Sequence, residues 1–98
     1  MKMIFIVYNA AIEEEVIEAL VEIGVENYTK WDRVLGKGPI SGPHFDSDVW
    51  PGVNSMLAIA VEDEKKDKIM AKVRELKSKE SLRKEGIRAF VLPLEEMT

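Results

Sequence analysis

At 98 residues the chain is sized for one domain, spanning 1–98, with a modest core that oligomerisation would enlarge. Its net charge of −4 leaves no basic face to offset phosphate repulsion, which excludes broad nucleic-acid binding, and the absence of cysteine excludes disulfides, thiol nucleophiles and thiolate metal sites. The opening MKMIFIVYN is too short to span a membrane and lacks the layout of a signal peptide, so the cytoplasm is the expected compartment. Abundant Lys and Glu without glutamine match the composition of thermophile proteins.

The compact apolar run from Lys2 to Tyr8 is rich in β-branched residues and predicts a buried strand. Asn9 is placed to cap a helix, with Glu13, Glu14 and Glu15 near the positive end of its dipole. Ile12, Val16, Ala19, Leu20 and Ile23 recur on one helical face, and Gly24-Val25 is a stop signal. Glu26 to Leu35 suits a second strand and Val53 to Val61 a third. Asp63 is placed to cap a second helix whose Ile69, Val73 and Leu76 share a face. Leu82 falls out of that phase, so the helix should break near Ser78–Ser81 and turn towards Gly86. Ile87 to Leu92 predicts a fourth strand, ended by Pro93. The order β-α-β-β-α-β predicts an α+β, ferredoxin-like sandwich: an antiparallel four-stranded sheet with two helices on one face. Every strand carries apolar residues on both faces, whereas a one-sided sheet should alternate. The second face should therefore be buried against copies of the same chain.

Between the second and third strands, residues 36–52 read GKGPISGPHFDSDVWPG. Pro39, Pro43 and Pro51 exclude a helix, and a connection of this length is usually functional or disordered. Phe45, Val49 and Trp50 favour a loop that packs on or binds something. Gly36-Lys37-Gly38 could bring backbone N–H groups to an anion, or form a plain turn. His44, Asp46 and Asp48 offer one imidazole and two carboxylates to a divalent metal. One chain alone supplies few ligands, and the same residues can order the loop instead. Trp31 and Trp50 are candidates for stacking or interface anchoring, with burial in the fold or in the oligomer the simpler expectation for Trp31 in mid-strand. No nucleophile stands beside a base and an orienting partner, so an enzyme is not expected.

Gly24-Val25, then Tyr28-Thr29, then Val34-Leu35-Gly36-Lys37-Gly38, together with Val61-Glu62-Asp63 after the third strand, resemble the PII signalling family over roughly residues 2–76. The resemblance implies a cytoplasmic homotrimer that binds a small effector between subunits, with Thr29, Gly36, Lys37 and Gly38 lining the cleft. It implies that 36–52 is a short T-loop whose His44, Phe45 and Trp50 meet a protein partner, such as a membrane transporter or a regulatory protein. Three departures stand out. The loop has no tyrosine for uridylylation. Residues 78–86 replace the family's glycine-rich phosphate loop. Leu92-Pro93-Leu94-Glu95-Glu96 stand where arginines are usual. Weak or absent ATP binding is the expectation, and no cofactor is named. The chain is also similar to divergent PII-like proteins that accompany transporters or metal efflux, and shares its expected fold with metal-tolerance trimers of the CutA type. The alternative reading is accordingly a metal-binding or metal-sensing trimer using His44 with Asp46 or Asp48.

Overall fold

The computed structural model describes residues 1–38, 42–44, 53–82 and 86–98. Four long strands make one sheet: β1 (Lys2–Asn9), β2 (Thr29–Val34), β5 (Asn54–Val61) and β6 (Ile87–Pro93). Between β2 and β5 a small hairpin pairs β3 (Gly36–Gly38) with β4 (Gly42–His44). The large sheet runs β2-β5-β1-β6, and every neighbouring pair is antiparallel. This is the ferredoxin-like order expected from the sequence. Helices α1 (Glu13–Glu22) and α2 (Asp63–Ser78) make the two crossovers.

Alternation along the strands sends every second side chain under the helices. Ile4, Ile6 and Tyr8 of β1 and Leu57 and Ile59 of β5 are all buried there, against Val16, Ala19 and Leu20 of α1 and Ile69, Val73 and Leu76 of α2. The predicted helix faces are thus the observed ones, except that Ile23 is only partly buried at the edge of the core. Leu82 joins the core from a separate turn, Glu80–Leu82, after α2 ends at Ser78.

The helix ends show how local chemistry fixes the layout. Asn9 accepts from the Ala11 amide at 2.9 Å, but it caps a single 3-10 turn, Ala10–Ile12, which leads into α1. At the other end Gly24 takes φ +78°, and Gly24 and Val25 donate back to the carbonyls of Val21 and Leu20. These two bonds form a Schellman motif. The Lys65 ammonium, reaching over from α2, donates to the Ile23 carbonyl at 2.6 Å and so satisfies a further end group.

Asp63 is not the cap of α2. It is the first helical residue, Glu62 holds the cap position without a side-chain bond, and the Asp63 carboxylate lies 3.7 Å from the Met1 amino group. The second strand is shorter than Glu26–Leu35. It begins at Thr29, and its register against β5 slips between Trp31 and Val34, where Arg33 takes φ 58°. This bulge lets the chain turn out of the sheet and into the hairpin. The 36–52 stretch is therefore not wholly irregular, since its first half carries β3 and β4.

Candidate functional site

Two features of the sheet could bear function: the base of the hairpin and the face the helices leave open.

At the hairpin base a chain of polar contacts ties three elements together. Tyr8 is fully buried at the end of β1, and its hydroxyl donates to Glu13 Oε1 at 2.7 Å. Across the register from Tyr8 lies Ser55, the buried polar residue of the described part, whose hydroxyl also reaches the phenol oxygen. Glu13 Oε1 in turn lies 2.6 Å from Lys30 Nζ on β2, and Lys30 is 3.1 Å from Asp32 Oδ1. Burial, then the Glu13 hydrogen bond, push the Tyr8 phenol well above its usual range, so it stays a donor. The Lys30 hydrogen bond, then that from Tyr8, hold the Glu13 carboxyl below the usual carboxylate range. Glu13 and then Asp32 raise Lys30. The network fixes β2 against the start of α1 just ahead of the bulge, and it occupies the Lys30 charge. Sequence reading missed it. The one available signal was that a tyrosine inside an apolar run needs a partner for its hydroxyl.

Beyond the bulge, Gly36 lies so close to Asn54 that a Cβ there would stand 3.1 Å from Asn54 Nδ2, and glycine permits this approach. Gly36 pairs with His44, Lys37 with Pro43 and Gly38 with Gly42. Gly36, Lys37, Gly38 and His44 are thus brought together in one hairpin, with the Lys37 side chain exposed. Thr29 is not part of that group. It pairs with Ala58, four positions along β5 from Asn54, or about 13 Å at the usual strand rise. Phe45, Asp46, Asp48 and Trp50 lie outside the described residues. Among the described residues no three His, Cys, Asp or Glu side chains are grouped to hold a metal ion.

The open face is built by the other half of the alternation. Register places Met3, Phe5 and Val7 of β1, Met56, Ala58 and Ala60 of β5, Phe90 and Leu92 of β6, and Thr29 and Trp31 of β2 on this one side. Trp31, Phe90 and Leu92 are each about half exposed, at 45, 47 and 45%. Of the two burials expected for Trp31, in the fold or in an oligomer, the single subunit does not supply the first. A broad apolar surface of this kind marks an interaction site in a soluble protein. No described helix is long and apolar enough to cross a membrane.

A single antiparallel sheet in the β-α-β-β-α-β order, with one apolar face left open and a hairpin following its second strand, defines a ferredoxin-like α+β domain. The family model of the nitrogen regulatory protein P-II matches residues 1–98, and the chain belongs to that family. Comparison with curated protein sequences gives no match. Among solved structures the chain is similar to CPII, a nitrogen regulatory PII-like protein from Thiomonas intermedia K12. The form bound to ADP, AMP and bicarbonate is 21% identical at a TM-score of 0.70, with 93% of this chain and 86% of that one covered. The apo form of CPII is 18% identical at a TM-score of 0.65, covering 93% and 87%. A Thermus thermophilus protein assigned to the PII-like signaling proteins is 24% identical at 0.64, covering 93% and 83%. At these identities the structural likeness carries the fold alone.

Proposed function

We propose that this chain is the subunit of a homotrimeric PII-like regulator, not an enzyme. In this reading it binds a small effector between subunits and signals to a protein partner through residues 36–52. The observation that carries this is the naked face. Met3, Phe5, Met56, Phe90, Leu92 and Trp31 form an apolar surface that a stable protein must cover, and closing three sheets around a threefold axis covers it with copies of itself. Thr29 lies on that face, and Gly36, Lys37 and Gly38 lie at the hairpin base. In one subunit they are apart, and closure would bring Thr29 of one copy towards the hairpin of another. The similarity to CPII bound to ADP, AMP and bicarbonate makes adenine nucleotides and bicarbonate the first effectors to try. ATP held in the usual family manner is expected to be weak, since residues 78–86 carry Gly86 alone where the family's phosphate loop is glycine-rich. Such a regulator acts in the cytoplasm.

The test has two stages. Light scattering at micromolar concentration should give the mass of three chains, and a mass near 11.1 kDa would end the reading. Thermal-shift screening with ADP, AMP, ATP, bicarbonate and divalent metals should then raise the melting temperature for one of the first group, because a ligand of the native state stabilises it by mass action. Stabilisation by metal alone, lost in His44→Ala, would transfer the protein to the metal-sensing class.

A further inference from the structure

On the open face four side chains stand in one row across the sheet: Trp31 on β2, Met56 on β5, Val7 on β1 and Arg88 on β6, each opposite the next in register. The end members sit on the two edge strands. Trp31 is 45% exposed and Arg88 is exposed as well. Among the described residues Arg88 is the one charged side chain that the pairing places on this face, and no ion-pair partner stands beside it.

In the proposed trimer, on which this inference rests, sheets closed around a threefold axis meet head to tail, so the β2 edge of one copy faces the β6 edge of the next. Closure would take the Arg88 guanidinium out of water, and an unpaired charge in an apolar interface is costly. A planar guanidinium stacks well on an aromatic face, and tryptophan offers the strongest such face. We propose that Arg88 of each copy stacks on Trp31 of its neighbour, one pair at each subunit boundary. The pair gives the closed ring its direction: a copy docked edge-to-like-edge would set two arginines or two tryptophans together. Ring closure and partner selection thus share one contact, and the apolar row between the ends supplies area without orientation.

A double-mutant cycle on the full chain tests this, using Trp31→Leu, Arg88→Met and the double variant. Far-UV circular dichroism checks that each is folded, and sedimentation velocity follows subunit dissociation in a urea series at fixed protein concentration. Each single variant is expected to weaken assembly, and the double to be little worse than the weaker single, giving a coupling of about fivefold or more per boundary. Effects that add to within about twofold would overturn the pair and leave the ring standing. A wild-type chain that is monomeric throughout would overturn the ring and the pair with it. If either deletion prevents folding, the gentler cycle of Trp31→Phe with Arg88→Lys is read by the same criteria.

Discussion

Ile4, Ile6, Leu57 and Ile59 look into the helices, while Met3, Phe5, Met56 and Ala58 look the other way from the same two strands. The side chains are of one chemical class and the backbone between them is continuous, yet the first set is buried and the second is not. The difference lies in what the chain supplies. The crossovers α1 and α2 both fall on one side, so only that side is covered from within. A strand that is apolar on both faces thus has one face met by its own chain and a second that its own chain leaves open. The covered face governs whether the subunit folds, and the open face is left for the assembly proposed above.

Substitutions that strike one face and spare the other separate these roles. The largest effect should come from the covered face. Ile6→Ala removes a fully buried side chain, and urea denaturation should show a loss of about 2–5 kcal/mol. Next, Phe5→Asp on the open face should abolish assembly while the far-UV spectrum of the subunit survives. Sedimentation gives the mass, and a trimer persisting in that variant would mean that the face is not the interface. At the rim of the covered face, Tyr8→Phe keeps the ring and deletes the hydrogen bond to Glu13. The expected cost is about 1.5–3 kcal/mol, the range for a bond to a charged group, and an unchanged urea midpoint would show the network to be idle.

The smallest effect is on pH. Glu13 and Glu22 are both held below the usual carboxylate range, Glu13 chiefly by Lys30 and Glu22 chiefly by Lys72. A carboxyl depressed by folding contributes stability above its unfolded value, and that contribution is lost as pH falls through the folded one. The melting temperature should therefore decline below about pH 4.5, near the ordinary glutamate value. Glu13→Gln should flatten part of the decline. Both pairs are at the surface, so solvent screening keeps the change small.

The legibility of the chain divides along the same line as its two faces. Apolar spacing marked the strands, the helices and the naked face, because burial acts on every second or every third to fourth residue and leaves a periodic trace. Individual contacts left no such trace. Tyr8, Glu13 and Lys30 meet only because a 3-10 turn and the β2 register place them together, and neither follows from spacing. Asp63 has the chemistry of a cap, yet the helix starts one residue earlier than that role needs and leaves Glu62 in the cap position. The slip at Arg33 needed a left-handed arginine, which no propensity favours. For the candidate effector site the sequence marked Gly36-Lys37-Gly38 and His44 as neighbours, and they share a hairpin. The predicted strand over Glu26–Leu35 already set Thr29 well along the chain from them, and the register against β5 agrees.

Strand β1 is made first, yet it occupies the interior of the sheet, flanked by residues 54–61 on one side and 87–93 on the other. During translation this strand must wait, apolar on both sides, until the third long strand and then the last one emerge. Domains with such distant pairings fold slowly and expose sticky surface meanwhile. The nascent chain should therefore depend on shielding at or near the ribosome until β6 is in place, and stalled synthesis short of residue 87 should leave an aggregation-prone fragment.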